Sequence, residues 1–209
     1  YGPEHTILDG SNAQESVIYV GNGQVGVVID NLHIKNGYGT IPTFHGSIRF
    51  GGGILVDEDV RGVIKNCLIT KNGIAPSDEY SGGLFVSYRS EVYLINNTIT
   101  ENYGPVWWRS GNTNCMSGWG TREFGRDGVC MNNIMFNNAG DGLYIQYALP
   151  LNSIQIRNNN SYGNSPNWYN GSGGGSQTGI NDNISQDPLF VNAADGNYRL
   201  SPSSPSLSA

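Results

Sequence analysis

Asparagines bracket a short segment at five places along this 209-residue chain, and the segments return at intervals close enough to constrain the fold. They are Asn31-Leu-His-Ile-Lys-Asn36, Asn66-Cys-Leu-Ile-Thr-Lys-Asn72, Asn96-Asn-Thr-Ile-Thr-Glu-Asn102, Asn132-Asn-Ile-Met-Phe-Asn-Asn138 and Asn158-Asn-Asn-Ser-Tyr-Gly-Asn164. Their starts are 35, 30, 36 and 26 residues apart. Two positions before each opening asparagine stand Ile29, Ile64, Leu94, Cys130 and Ile156, an apolar file, whereas the next position holds the mixed set Asp30, Lys65, Ile95, Met131 and Arg157. That contrast is expected of the inward and outward sides of a strand. Three residues after the asparagine, Ile34, Ile69, Ile99 and Met135 form another inward file, which Ser161 ends.

A second set of strands opens on glycine. Gly52-Gly-Ile-Leu-Val56 matches Gly82-Gly-Leu-Phe-Val86, and more loosely Tyr103-Gly-Pro-Val-Trp107 and Asp141-Gly-Leu-Tyr-Ile145. From Gly53 to Asn66 and from Gly83 to Asn96 the distance is 13 residues, but from Gly104 to Asn132 it is 28, which places an insertion of roughly 15 residues near 109–125. A solenoid accounts for these facts together, because stacked coils share a core that none could bury alone. Parallel neighbours lie about 4.8 Å apart, so asparagines at one register stack and hold the turn backbone. An antiparallel sandwich also uses many short strands but does not readily repeat asparagines once per coil.

Composition agrees. Thirty glycines and only 13% charged residues disfavour long surface helices and suit short strands joined by tight turns. The net charge of −6, without a basic cluster, argues against nucleic acid as a partner, and no run is long enough for a membrane span. Three cysteines are too few for a disulfide framework; Cys67 and Cys130 read as small buried residues, while Cys115 is either a free thiol or a partner for Cys130.

The repeats resemble those of the right-handed parallel β-helix, pectate-lyase-like superfamily, over roughly residues 6–185. Handedness follows from this resemblance, not from the repeat. The resemblance implies an all-β solenoid over 1–185 and a closing segment over 186–209 like that of many bacterial members, and the opening Tyr1-Gly-Pro-Glu-His-Thr-Ile-Leu-Asp-Gly10, which reads as already feeding a strand, leads to the expectation of a further N-terminal coil or cap before it. It further implies a secreted or cell-surface protein that acts on polysaccharide, and leaves room for other domains of a larger extracellular protein.

Chemistry is expected on the glycine-led strands. With Ile54, Val56, Leu84, Val86, Leu143 and Ile145 inward, the outer side carries Leu55, Phe85, Val106 and Tyr144 in one file and Asp57, Ser87, Trp108 and Gln146 in the next. Glu58, Tyr88, Arg109 and Tyr147 follow, and Trp107 faces inward. Phe85, Tyr88, Trp108, Tyr144 and Tyr147, with Trp119 from the insertion, form an aromatic strip that suits the apolar faces of sugar rings; packing beneath the insertion is the alternative. Arg109, Arg122 and Arg126 suit substrate carboxylates. Asp57, Glu58 and Asp59 offer oxygens of the kind calcium takes, although loop carboxylates commonly need no metal.

Three functions follow as expectations. A lyase would cleave uronate glycans by β-elimination, with Arg109 or Arg126 as base and calcium as charge neutraliser. A hydrolase would pair Asp127 with Asp141, two acids roughly 5–9 Å apart. A glycan-binding or adhesive module would need the strip and no convergent acid and base. A purely architectural segment would need neither.

Overall fold

The computed structural model describes residues 3, 5–42, 49–73, 82–87, 89–104, 106–109, 128–146, 154–170 and 176–208. Its strands form three parallel sheets that wind around one core. Sheet 1 stacks β1 (Ile7–Asp9), β4 (His33–Lys35), β7 (Leu68–Thr70), β10 (Thr98–Thr100), β13 (Ile134–Phe136) and β16 (Asn160–Tyr162). Sheet 2 stacks β2 (Ile18–Val20), β5 (Ile54–Val56), β8 (Leu84–Val86), β11 (Val106–Arg109), β14 (Leu143–Gln146) and β17 (Trp168–Asn170). Sheet 3 stacks β3 (Val25–Asp30), β6 (Arg61–Lys65), β9 (Glu91–Ile95), β12 (Gly128–Met131) and β15 (Ile154–Arg157). The chain visits sheets 1, 2 and 3 in turn, so each circuit is one coil.

Both apolar files read from the repeat line the core: Ile29, Ile64, Leu94, Cys130 and Ile156 from sheet 3, and Ile34, Ile69, Ile99 and Met135 from sheet 1. Sheet 2 contributes Ile54, Val56, Leu84, Val86, Val106, Leu143 and Ile145. Full burial of a side chain of this size stabilises by about 1.5–3 kcal/mol. Cys67 and Cys130 are buried free thiols, and burial pushes the Cys130 thiol up to about 12.

Paired asparagines divide the labour at the corner between sheets 3 and 1. Asn31, Asn66, Asn96, Asn132 and Asn158 open that corner with φ between 53° and 61°, the left-handed region that asparagine tolerates better than most residues. Successive members do stack, with Asn96 Nδ2 donating to Asn66 Oδ1 over 3.5 Å, but Asn66, Asn96 and Asn132 are exposed. The buried rung is the residue after them: Asn97, Asn133, Asn159 and finally Asn183. The Asn133 carboxamide oxygen accepts from the Asn97 N–H and Nδ2, each at 3.0 Å, while its Nδ2 donates to the Leu94 carbonyl at 2.8 Å and to Asn159 Oδ1 at 3.0 Å. A second ladder, the buried Asn72, Asn102 and Asn138 and the half-buried Asn164, closes the corner between sheets 1 and 2 with the same bonding. Each rung satisfies main-chain groups at a bend where no strand can do so.

Asn183 is the last rung, and Ile184 bridges Asn160 in parallel. The chain then turns onto the outside of sheet 1 as an antiparallel hairpin, β18 (Phe190–Asn192) and β19 (Asn197–Leu200). Phe190 meets Phe136 edge-on at 5.5 Å between ring centroids, and the Tyr198 hydroxyl donates to Glu101 at 2.7 Å. The tail thus packs on a flank of the solenoid.

The register corrects one expectation. Val106 pairs with Leu84 and Leu143, Trp107 with Phe85 and Tyr144, and Trp108 with Val86 and Ile145. By backbone pairing Trp108 shares a level with the core residues Val86 and Ile145, and Trp107 with Phe85 and Tyr144; the side chains of residues 107–109 lie outside the described residues. Val106, expected outside, is buried in the core. Aligning Gly104 with Gly53 and Gly83 shifted β11 by one residue; a one-residue slip exchanges the two sides of a strand, and burial of Val106 decides between them.

Candidate functional site

The corner between sheets 3 and 1 is two residues long in every coil: 31–32, 66–67, 96–97, 132–133 and 158–159. All the long connections lie elsewhere, on the borders of sheet 2. Residues 36–53 lead into it from sheet 1, and 110–127 and 147–153 lead out of it to sheet 3. A rigid surface edged by segments of variable length is where binding residues collect. Part of the outside of sheet 1, at Phe136 and beside Glu101, is meanwhile met by the tail.

Two files run along the outer register of sheet 2, parallel to the solenoid axis. The first is Tyr19, Leu55, Phe85, Trp107, Tyr144 and Tyr169, aromatic at five of six positions. The second follows two residues later: Asp57, Ser87, Arg109 and Gln146. Correcting the register of β11 is what brings Arg109 into line with Ser87 and Gln146. Both files are covered where they cross β5 and β8. Leu55 and Phe85 are fully buried under Phe50, whose ring centroid is 4.5 Å from that of Phe85, and Asp57 and Ser87 are also buried. Phe85 is therefore packed where an exposed sugar contact was expected. Tyr144 is half-buried against the same cluster, and Tyr19, on the other side, is 50% exposed.

The acidic triplet does not fit a calcium site. Asp57 accepts the Tyr19 hydroxyl at 2.6 Å and the Glu58 N–H at 2.8 Å, and the first of these hydrogen bonds, with burial, pushes the Tyr19 phenol up to about 12. Arg89 donates through Nε to Asp59 at 2.9 Å and through Nη2 to both Glu58 and Asp59. Those carboxylates hold the guanidinium well above its ordinary pKa. Oxygens that calcium would need are thus committed to hydrogen bonds and a cation. Among the described residues, no group of three or more His, Cys, Asp or Glu is arranged to hold a metal ion.

Asp141 precedes β14 by two residues and is half-buried, which pushes its carboxyl up to about 6. Arg109 ends β11 and pairs with Gln146, five residues beyond the level of Asp141. At about 3.3 Å per residue the two stand roughly 16 Å apart along the strands, so they border opposite sides of the sheet. Tyr88, Trp119, Arg122, Arg126, Asp127, Tyr147 and Cys115 lie outside the described residues.

Sequence reasoning passed over three residues that shape this face. Tyr19 was available, since Ile18-Tyr-Val20 repeats the pattern of Ile54-Leu-Val56. Arg89 carries no marker beyond its place in a turn equivalent to that of Asp59; both have positive φ, 54° and 59°. Phe50 sits in a connection outside the repeat, where no periodicity assigns it a neighbour.

The family described as right handed beta helix region matches residues 5–186. No curated protein and no solved structure shows significant similarity to the chain.

Proposed function

The chain belongs to the right-handed β-helix family, and from that premise we propose that it is a secreted or cell-surface carbohydrate-active protein that lays an extended polysaccharide along the outside of sheet 2. One observation carries this reading: an aromatic file and a polar file share that sheet side by side, with the same coil-to-coil spacing. Aromatic faces take the apolar faces of sugar rings, while an adjacent line of polar groups fixes hydroxyls and carboxylates.

The reaction we favour is β-elimination on a uronate-containing chain. The proton at C5 leaves to a base, the C4–O bond breaks as the C4–C5 double bond forms, and the departing oxygen takes up a proton. The role of meeting a uronate carboxylate or taking its neighbouring proton is given to Arg109, whose backbone pairs with Gln146 on sheet 2. Hydrolysis is the second reading, favoured by Asp141, whose raised pKa suits a group that donates a proton near neutrality.

Incubation with a panel of uronate-containing and neutral polysaccharides tests the reading. New chain ends with ultraviolet absorbance from the double bond identify elimination, and new ends without it identify hydrolysis. Binding with neither identifies a non-catalytic module. Absence of binding to every member of the panel refutes glycan recognition.

A further inference from the structure

Apolar residues on the outside of sheets 1 and 2 are met by other parts of the chain: Phe190 stands edge-on to Phe136, and Phe50 packs with Leu55 and Phe85. On sheet 3 no described segment does so. Its outer side carries Val28, Val63, Tyr93 and Val129 in one file, with Ile95 and Met131 beside the last two. Val28 is 63% exposed, and the other five are half-buried and keep part of their surface in solvent. The side of a strand that faces water is ordinarily polar. A contiguous apolar block on a rigid sheet marks an interaction surface.

Charge is placed at both ends of this block. The file centred on Ile95 begins with Asp30 in the first coil and ends with Arg157 in the fifth, and both are exposed. Asp30 holds Lys65 at 3.3 Å, yet 38% of its side chain remains in solvent, enough surface for a second cation.

We propose that the outside of sheet 3 docks a second copy of this chain, face to face, about a two-fold axis that runs along β9. Such an axis presents the same patch on both copies. It reverses the order of the coils and keeps the strand direction, so the first coil of one copy meets the fifth of the other. Tyr93 and Ile95 then meet their own counterparts, Val63 meets Val129, and Asp30 meets Arg157. Lys65 lays its aliphatic stem along Met131. An axis along the solenoid would instead bring Asp30 to Asp30 and Arg157 to Arg157, where like charges repel. Five strands about 4.8 Å apart, used over about five residues of 3.3 Å, offer roughly 400 Å² on each copy. Standard complexes use about 600 Å² a side or more, so a reversible dimer is expected. The interface leaves sheet 2 outside it, and the proposal is independent of the glycan reading.

Sedimentation of the full chain from about 1 μM to 1 mM covers weak association, and a rise from monomer towards dimer mass is expected. Ile95→Lys sets like charges at the axis and should keep the protein monomeric throughout. Arg157→Glu turns two attractive contacts with Asp30 into repulsive ones and should weaken the dimer about tenfold. Adding Asp30→Lys exchanges the two charges and should restore it. Circular dichroism establishes that each variant is folded. Monomer at every concentration in the unaltered protein overturns the proposal, as does a dimer that survives in folded Ile95→Lys. A dimer unchanged by Arg157→Glu overturns the meeting of the first coil with the fifth. If Ile95→Lys does not fold, the exposed Arg157→Glu and its rescue by Asp30→Lys decide alone.

Discussion

Replacing Asn133 by alanine tests the division of labour between paired asparagines. Asn133 has no exposed surface. Its removal takes the acceptor from the buried Asn97 N–H and Nδ2, and a donor from the Leu94 carbonyl and from Asn159 Oδ1. A buried donor left unsatisfied costs about 1–3 kcal/mol and each further lost bond about 0.5–1.5 kcal/mol, so a loss of about 3 kcal/mol is expected. For a domain of this size that lowers Tm by about 6–12 °C. Asn132, one residue earlier, is exposed and supplies tolerance of φ 56°; its change to alanine should cost about 1 kcal/mol. Thermal unfolding followed by circular dichroism gives the comparison, and hydrogen exchange at the Asn97 amide gives a local readout. Faster exchange there is expected in the Asn133 variant alone. If Asn132→Ala is as damaging as Asn133→Ala, the assignment of the rung to the second asparagine is wrong.

Other substitutions probe other contacts. Cys67 stands where the ladder lacks a rung below Asn97, with its sulfur 3.8 Å from the Ile29 carbonyl; Cys67→Asn should gain about 1 kcal/mol, and a fall in Tm would contradict the ladder logic. Arg89→Gln removes the cation from Glu58 and Asp59 and should cost about 1 kcal/mol in low salt, less in molar salt; an effect independent of salt would show that packing, not charge, holds that turn. Asp141 is held protonated up to about pH 6 by burial, against an ordinary 3.8. The folded protein therefore binds this proton more tightly than the unfolded chain, and its contribution, favourable at low pH, is lost as pH rises from about 4 to 6. Asp141→Asn should accordingly raise Tm more at pH 7 than at pH 4; equal shifts would contradict a burial-raised pKa.

The stacking was legible in the sequence because each coil must meet the same backbone demand. A left-handed residue opens one corner, an apolar residue stands two positions before it, and another stands three positions after. Which asparagine of a pair is buried was not legible, since both amides offer the same donors and acceptors and only the geometry of the corner separates Asn96 from Asn97. Glycine misled at β11. Gly104 attracted the alignment, but the strand register follows the buried Val106, one residue off. The face itself was foreseen as far as one coil explains the next: Tyr144 lies in the expected outer file. The packing of Phe50 on Phe85 arises from a segment outside the repeat, where position in sequence says nothing about position in space, whereas Arg89 and the acidic triplet occupy equivalent turns whose residue types do not repeat.

Isothermal titration of a polysaccharide selected from the panel, against the unaltered protein, Tyr144→Ala and Tyr93→Ala, tests the central claim most directly. Tyr144 belongs to the aromatic file of sheet 2, and Tyr93 lies on sheet 3, where its hydroxyl donates to Glu91. Loss of one stacking ring should weaken binding about tenfold, equivalent to about 1.4 kcal/mol, in Tyr144→Ala and leave Tyr93→Ala unchanged. Equal affinities for all three proteins, or a loss confined to Tyr93→Ala, would place the glycan somewhere other than sheet 2.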